Sequence, residues 1–320
     1  MRRCLQLAAN GLGRVRPNPL VGCVVVDAEG RIVSEGFHQE YGHNHAERNA
    51  LLRAEVGGRK SGMADASNNS ELRIPSSELT LYVNLEPCSH HGKTPPCADL
   101  IIEKGIKRVV CCNDDPNPLV AGRGFRKLEE AGIEVVRHVL EEEGRELNRR
   151  FFAYMEQRRP YIILKWAESA DGFMAPPEVG RYWLSTQRQN RLNHRWRTEE
   201  AAILVGSGTY RCDRPSLNAR HCLGPQPQPV VLDRRGRLTD IPPHWLHLRT
   251  QTVEATLQAL YEARLQSVIV EGGRRVLDAF IESGLYDEVR ILRSPKSLGG
   301  GLPAPAIPPI DSRRLIIVEP

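Results

Sequence analysis

The segment NLEPCSHHGKTPPC, residues 84–97, decides how the first half of the chain is expected to fold and what it can bind. Its first residues overlap the end of the apolar run LTLYVNL, residues 79–85, which is typical of a buried strand. A helical pattern starts at its last residue, Cys97. Upstream, the motif HAE places His45 at the predicted start of another helix. Zinc binds imidazole and thiolate groups, and a catalytic zinc has three protein ligands and one open position. The pattern therefore predicts a zinc site formed by His45, Cys88 and Cys97.

Glu47 lies two residues after the histidine, where it can move protons without being a ligand. A His-x-Glu motif followed by Pro-Cys is the pattern of zinc enzymes that deaminate nucleobases, in which two residues separate the cysteines. Here eight residues separate Cys88 from Cys97. The insertion carries groups that suit a phosphate, namely His90, His91, Lys93 and Thr94. Two other interpretations remain open: a structural zinc closed by His90 or His91, or a histidine and cysteines that are unrelated core residues.

Outward from this segment, short apolar runs alternate with helical patterns, which predicts α/β architecture in both halves. A chain of 320 residues suits two domains, at about 100 to 200 residues per domain. We expect a first domain over residues 1–145, a charged connecting helix over 146–159 and a second domain over 160–320. Residues 57–75 are rich in Gly, Ser and Asn and are predicted to form a loop.

Composition and charge exclude several classes of protein. The chain is 40% hydrophobic and 26% charged, as ordinary globular proteins are. Its net charge of +5 is too small to indicate a nucleic-acid partner. No apolar run approaches the roughly 18 residues of a membrane span, and the N-terminal apolar run is too short for a signal peptide. We therefore expect a cytoplasmic protein whose eight cysteines are core residues or metal ligands rather than disulfides.

Two glycine-containing turns in the second half are candidates for anion binding. SVIVEGG, residues 267–273, runs from a predicted strand directly into a helix, whose free N–H groups would favour an anion. A plain tight turn would have the same sequence. GSGTYR, residues 206–211, also follows a strand, but it is a weaker signal because Gly-x-Gly is common.

Four stretches of the first half resemble the bifunctional riboflavin-biosynthesis deaminase/reductase family. They are PNPLVGCVVV at 17–26, HAE at 45–47, NLEPCSHHGKTPPC at 84–97 and DDPNPLVAGRG at 114–124. The resemblance implies a cytidine-deaminase-like three-layer domain with zinc on His45, Cys88 and Cys97 and with Glu47 as the catalytic proton shuttle. It also implies a pyrimidine and phosphate pocket lined by Asn18, His38, Lys93 and Asn117.

The second half resembles the reductase domain of the same family, which is similar in fold to dihydrofolate reductase and uses NADPH. The matching stretches include LKWAESADG, WLST, WRTEEAAILVGSGT, CDRPSLNAR and VIVEGG. By this match, the residues that contact NADPH would be Trp183, Thr209, Asp213, Gly272 and Gly273. Those that face the ribosyl phosphate substrate would be Lys165, Arg197, Leu217, Arg220 and Glu271. We expect NADPH to be preferred over NADH because four arginines stand near the cofactor turns, namely Arg211, Arg214, Arg274 and Arg275.

A few residues depart from the family pattern. Asn44 stands where many members have proline, and Glu168, Arg181 and Arg214 replace residues of other types in the reductase half. The tail beyond Pro295 is short for the family and rich in proline. These departures leave the motifs of both halves in place.

The resemblance implies an enzyme that deaminates a diaminopyrimidinone bearing a ribosyl phosphate and then reduces the ribosyl group to ribityl. The cofactors would be one zinc ion per chain and NADPH. Two alternatives are a deaminase with a degenerate reductase domain, and a nucleoside or tRNA deaminase with a noncatalytic second domain. We expect a small-molecule phosphoribosyl pyrimidine as the binding partner, with no nucleic acid and no membrane, and a homo-oligomer formed through the reductase domain.

Overall fold

The computed structural model describes residues 1–56, 78–90, 95–118, 120–178 and 182–320. The chain divides into two compact units, Met1–Glu156 and Gln157–Pro320. The loop predicted over 57–75 lies outside the described residues, as do Lys93 and Arg181. Within the described part of the chain, no helix combines the length and apolar character needed to cross a membrane.

The first unit contains a five-stranded sheet with the order β2-β1-β3-β4-β5. Its elements are α1 (Arg2–Ala9), β1 (Gly22–Val26), β2 (Ile32–Phe37), α2 (Ala46–Val56), β3 (Thr80–Leu85), α3 (Cys97–Glu103), β4 (Arg108–Asn113), α4 (Arg123–Glu130), β5 (Glu134–Val136), α5 (Glu141–Leu147) and α6 (Arg149–Glu156). Strand β1 pairs antiparallel with β2 and β3, whereas β3, β4 and β5 are parallel.

Helices cover both faces of this sheet. Side chains of a strand alternate between faces, so Val25 packs in a core with residues of α2, α3 and α4. Its neighbour Val24 points the other way and packs against Cys4 and Leu7 of α1. The result is a three-layer α/β/α unit, which explains why β4 has the continuous apolar run expected of a strand buried on both faces.

The segment predicted as one connecting helix, residues 146–159, is divided between the end of α5 and all of α6. They break at Asn148, whose side chain accepts a hydrogen bond from Leu20 N at 2.8 Å and donates one to Leu20 O at 2.9 Å. Beyond the break, Phe151 and Phe152 of α6 pack against Leu85 at the end of β3. Helix α6 is therefore packed into the first unit.

The second unit is built on a seven-stranded, entirely parallel sheet with the order β10-β9-β8-β11-β6-β12-β14. Its elements are β6 (Tyr161–Glu168), β7 (Phe173–Ala175), α7 (Gln187–Glu199), β8 (Ala202–Gly206), α8 (Ser207–Asp213), β9 (Gln228–Leu232), β10 (Leu246–Leu248), α9 (Val253–Glu262), β11 (Ser267–Val270), α10 (Arg274–Ser283), β12 (Glu288–Arg293), β13 (Leu302–Pro303) and β14 (Leu315–Val318). The tail beyond Pro295 supplies β14, at one edge of the sheet.

The central strands of this sheet are buried on both faces, since Ile162 and Ile163 of β6 are both 0% exposed. One face packs against α9 and α10 through Leu260 and Phe280. Helix α7 begins at a capping box formed by Thr186 and Gln189. Helix α8 was not predicted, because the glycine in its first residues lowers the helix propensity and the sequence there is typical of a loop.

Candidate active sites

His45, Cys88 and Cys97 come together in the first unit, as their spacing predicts. His45 immediately precedes α2, Cys88 follows β3, and Cys97 is the first residue of α3. His45 Nδ1 lies 3.5 Å from Cys88 Sγ and 3.4 Å from Cys97 Sγ. A tetrahedral zinc with bonds of about 2.0 to 2.3 Å holds neighbouring ligand atoms about 3.5 Å apart. The three side chains therefore fit a zinc ion.

Within the part of the chain that the structure describes, the same cluster leaves one position of a tetrahedral zinc for a reacting molecule. Among the described residues, the group of potential ligand atoms within 4.8 Å of one another contains these three residues and no fourth. His90 lines the neighbouring cavity without joining the cluster, and His91 lies outside the described residues. Hydrogen bonds from Cys97 and His45 lower the pKa of the Cys88 thiol, which favours the thiolate that a metal requires.

Glu47 lies in the first turn of α2 and is 3% exposed. Burial, together with the charge of Cys88, raises the pKa of its carboxyl to about 7, although His45 acts in the opposite direction. A carboxyl group that titrates near neutral pH can both accept and donate a proton. The position and pKa of Glu47 suit a proton shuttle.

Asn18 and His38 form one side of a cavity of about 370 Å³ next to these groups. Asn18 Nδ2 donates to His38 Nε2 at 3.1 Å, and His38 Nδ1 lies 3.0 Å from the carbonyl oxygen of Asn44. Burial lowers the pKa of His38, which favours the neutral ring. A carbonyl oxygen only accepts, so the tautomer that fits this contact has its proton on Nδ1. Because Asn44 contributes only its backbone oxygen, an asparagine in place of proline leaves this contact possible.

Asn117 also lines the cavity, and its loop is held by two carboxyl groups that sequence analysis did not assign. Glu86 accepts hydrogen bonds from the backbone N–H groups of Gly122 at 3.0 Å and Gly124 at 2.9 Å. Asp115 accepts one from Asn117 N at 2.8 Å, and burial raises its pKa to about 7. The motif DDPNP contained the signal for Asp115, since an aspartate before a proline is common in such turns.

Three residues of α6 that were not predicted as site residues line the same cavity. They are Phe151, Tyr154 and Met155. In the sequence they belong to an apolar patch in a charged run, a pattern that does not reveal which part of the protein they contact.

In the second unit, Lys165, Arg197 and Glu271 form a buried charged group. Arg197 Nη2 lies 2.7 Å from Glu271 Oε2, and Lys165 Nζ lies 3.8 Å from Glu271 Oε1. Burial alone would raise the pKa of Glu271, but Arg197 and Lys165 outweigh it and lower that pKa to about 2. Burial lowers the pKa of Lys165, with Glu271 opposing this effect. Two cations and one carboxylate leave this group with a surplus of positive charge.

Asn218, which lies between Leu217 and Arg220 in the chain, connects this loop to the same charged group. The carbonyl oxygen of Asn218 accepts from Arg197 Nη1 at 3.0 Å, and its side-chain oxygen accepts from Arg220 Nη1 at 3.1 Å. The side chain of Leu217 is only 2% exposed, and its φ is +48°. Leu217 therefore shapes the loop that carries Asn218, and its side chain packs inward.

A cavity of about 640 Å³ in the second unit is lined by Thr209 and Gly273, a size within the range of small-molecule sites. Gly273 has a φ of +53° and immediately precedes α10. Three other residues expected near the cofactor do not line this cavity, namely Trp183, Asp213 and Gly272. Trp183 is 61% exposed. Gly272 packs closely, since a Cβ there would lie 2.5 Å from Val205 Cα.

Arginine dominates the charged lining of this cavity. Of the residues that the structure describes, one acidic residue, Asp233, lines the cavity, whereas the lining arginines are Arg211, Arg234, Arg235, Arg237, Arg274 and Arg275. Arg214, expected to be near the cofactor, instead forms an ion pair with Asp240 at 2.5 Å. Glu168 is also accounted for by local contacts, as it accepts hydrogen bonds from Trp166 Nε1 and Arg293 Nε.

Comparison with known proteins identifies both units. Residues 1–113 match the family described as cytidine and deoxycytidylate deaminase zinc-binding region, and residues 160–317 match the RibD C-terminal domain. The riboflavin biosynthesis protein RibD of Actinobacillus pleuropneumoniae is 38% identical over 94% of this chain and 84% of its own length.

Two solved structures are similar over nearly the whole chain. A diaminohydroxyphosphoribosylaminopyrimidine deaminase/5-amino-6-(5-phosphoribosylamino)uracil reductase from Thermotoga maritima has a TM-score of 0.82 and 40% identity, covering 95% of this chain and 88% of its own. RibD from Acinetobacter baumannii has a TM-score of 0.83 and 33% identity, with the same coverage of 95% and 88%.

These matches confirm the predicted fold class, a cytidine-deaminase-like domain followed by a dihydrofolate-reductase-like domain. They also confirm the expected cofactors, zinc for the deaminase domain and NADPH for the reductase domain. No observation favours a nucleoside or tRNA deaminase or a degenerate reductase. The chain belongs to the RibD family of bifunctional riboflavin biosynthesis proteins, with a deaminase and an NADP-dependent reductase in one polypeptide.

Proposed function

We propose that this chain deaminates 2,5-diamino-6-(5-phosphoribosylamino)pyrimidin-4(3H)-one and then reduces the ribosyl group of the product to ribityl. The observation that carries the first step is the three-ligand cluster of His45, Cys88 and Cys97 beside the buried carboxyl of Glu47. A site with three ligands and an adjacent proton carrier suits hydrolysis, whereas a structural zinc has four protein ligands.

For deamination, zinc when bound supplies Lewis-acid activation of water at neutral pH. Glu47 accepts one proton from the attacking water and delivers it to the ring nitrogen, and it then takes the second proton from the same oxygen, now bound to the ring carbon, and delivers it to the amino group that leaves as ammonia. Its pKa of about 7 allows both transfers. Asn18, His38 and Asn117 contribute amide and imidazole groups that match the hydrogen-bonding edges of a pyrimidine. Lys93, which follows the zinc ligand Cys88 in the chain, is assigned to the phosphate on chemical grounds.

For reduction, NADPH when bound supplies the hydride. The surplus positive charge of Lys165, Arg197 and Glu271 favours an anionic substrate such as a ribosyl phosphate, and the forked donors of Arg197 and Arg220 suit phosphate oxygens. Glu271 orients Arg197 through an ion pair of 2.7 Å. Leu217 contributes through its backbone, which shapes the loop that carries Asn218 and Arg220.

Cofactor contacts are assigned to the turn before α10 and to α8. Gly273 and Thr209 line the 640 Å³ cavity together with the six arginines. Gly272 contributes by allowing the turn after β11 to pass close to the end of β8. Trp183 and Asp213 are assigned to NADPH from the family resemblance alone.

Within the chain, we assign deamination to the unit Met1–Glu156 and reduction to Gln157–Pro320. We further propose a homo-oligomer formed through the reductase domain, supported by the edge position of β14 and the 40% exposure of its Ile317. A cytoplasmic location is supported by the cysteines, all of which are free thiols.

One incubation tests both activities. The zinc-loaded protein is given the diaminopyrimidinone ribosyl phosphate with and without NADPH, and ammonia and NADPH absorbance are followed separately. We expect ammonia in both samples and oxidation of NADPH once deaminated product has formed. Absence of ammonia would contradict the deaminase assignment. Ammonia without oxidation of NADPH would support a deaminase joined to an inactive reductase.

A further inference from the structure

The segment between the two family matches contributes to the deaminase cavity. Residues 1–113 match one family and 160–317 the other, so residues 114–159 belong to neither matched region. Yet this segment supplies the cavity-lining residues Asp115, Asn117, Val120, Phe151, Tyr154 and Met155. The last three lie on α6, which sequence analysis treated as a connection between domains.

Helix α6 is held against the cavity by several independent contacts. Asn148, just before α6, makes two hydrogen bonds to the backbone of Leu20, close to the cavity-lining residue Asn18. Arg145 forms an ion pair with Glu156 at 2.7 Å and stacks over the ring of Phe152 at 4.2 Å. These contacts join both ends of the helix to the rest of the first unit, so its place beside the cavity is determined by packing.

The side chains of α6 complement those from the strands and loops. A pyrimidine has polar edges, which need hydrogen-bonding groups, and two apolar faces, which need aromatic or aliphatic surface. The strands and loops supply amide, imidazole and carboxyl groups, whereas α6 supplies two aromatic rings and a thioether. Tyr154 and Met155 are half-buried, unlike Phe152, which is 4% exposed and does not line the cavity.

We propose that α6 is a substrate-binding element of the deaminase site, in which Tyr154 and Met155 contact the bound pyrimidine and contribute to substrate specificity. This inference rests on the proposed deaminase activity. It assigns part of the recognition to residues outside the zinc-binding region shared with other deaminases.

The test uses the full-length, zinc-loaded protein with Tyr154→Ala, Tyr154→Leu and Met155→Ala. We expect the KM for the diaminopyrimidinone ribosyl phosphate to rise about tenfold in the alanine variants, with kcat changed by less than about twofold, because the zinc ligands and Glu47 are untouched. Tyr154→Leu retains apolar surface and should show a smaller rise in KM. Calorimetric titration of the same substrate into each alanine variant combined with Glu47→Gln, which cannot turn it over, should show the same tenfold loss, or about 1.4 kcal/mol.

The matched control is Phe152→Leu, a change on the same helix that does not reach the cavity. It should lower the Tm and leave KM unchanged. Zinc content and Tm are measured for every variant, and Met155→Ala and Tyr154→Leu replace Tyr154→Ala if that variant does not fold. Unchanged KM and Kd in folded α6 variants, or a fall in kcat alone, would overturn the inference. Failure of the unaltered protein to release ammonia would instead overturn the proposed function.

Discussion

Glu47 is buried beside the zinc ligands without being one of them, so its role can be separated from metal binding. Glu47→Gln retains the size of the side chain but removes the titrating group. We expect this variant to retain about one zinc per chain while ammonia release falls by a factor of about 10² to 10⁴. Zinc content by atomic absorption and an ammonia assay provide the two measurements.

The control for that experiment is Cys88→Ser, which should lose the metal as well as the activity because a serine hydroxyl is a poor ligand for zinc. Near-normal ammonia release by Glu47→Gln would exclude Glu47 from the mechanism. Full zinc occupancy in Cys88→Ser would exclude Cys88 as a ligand.

Glu271 gives the second unit a pH-dependent contribution to its stability. Its pKa of about 2 in the folded protein lies below its ordinary value of 4.5. The carboxylate therefore stabilises the fold fully above about pH 4.5, and this stabilisation is lost as the pH falls toward 2. Glu271→Gln leaves Arg197 and Lys165 buried without their counter-charge, so we expect the free energy of unfolding at pH 7 to fall by about 3 to 5 kcal/mol.

Tryptophan fluorescence measures this change selectively, because all four tryptophans lie in the second unit. The free energy of unfolding in urea is measured at pH 7 and at pH 3. We expect it to change less between these two pH values in Glu271→Gln than in the unaltered protein. Glu282→Gln, an exposed change on α10, is the control and should shift stability by less than about 0.5 kcal/mol. Equal stability of Glu271→Gln and the unaltered protein at pH 7 would contradict the assigned charge group.

At the scale of elements, α6 determines where the deaminase unit can be cut. A fragment ending at residue 145 lacks Asn148, Phe151 and Phe152, and so loses the bonds to Leu20 and the packing on Leu85. We expect a fragment of residues 1–156 to fold, bind zinc and release ammonia without NADPH. The fragment of residues 1–145 should be unstable or inactive. Circular dichroism, zinc content and ammonia release compare the two, and equal activity would show that α6 is dispensable.

The junction of β11 with α10 depends on close backbone contact with β8. A Cβ at Gly272 would lie 2.5 Å from Val205 Cα and 2.8 Å from Gly206 N, and neither backbone atom can move without disturbing the sheet. We expect Gly272→Ala to destabilise the second unit by about 1 to 3 kcal/mol. Gly208→Ala is the matched control, since no heavy atom lies within 4 Å of its added Cβ. Tryptophan fluorescence during urea unfolding measures both, and similar stability of the two variants would argue against this packing constraint.

At the scale of the whole molecule, charge predicts the preference for the cofactor. The net charge is only +5, but six arginines and one aspartate line the cavity of the second unit. We expect the full chain to bind NADPH at least about tenfold more tightly than NADH, since the additional phosphate interacts with a positive cavity. The difference should shrink as salt is added, because exposed charges are screened. Titration followed by nicotinamide fluorescence at two salt concentrations measures this, and equal affinities in low salt would contradict it.

Much of the architecture could be predicted from local pattern. Strands β3, β4, β6 and β11 are buried, and buried parallel strands need continuous apolar runs that are visible in the sequence. The zinc ligands could be predicted because zinc chemistry admits few residue types and their spacing is characteristic. Short elements such as α8 and β10 were missed, because a few residues carry too little periodicity to distinguish them from turns.

The amino-acid sequence by itself determined the two α/β units, the zinc ligands and the positively charged character of the site in the second unit. Only the tertiary structure decided which residues surround them. Arg290, for example, lies between two apolar residues of the predicted strand DEVRIL, and the structure shows it buried between Glu288 at 2.6 Å and Glu200 at 3.2 Å. Likewise, α6 joins the deaminase cavity through Leu20 and Leu85, which are distant in the chain. Such contacts depend on how elements pack, and packing is not encoded in the period of any single element.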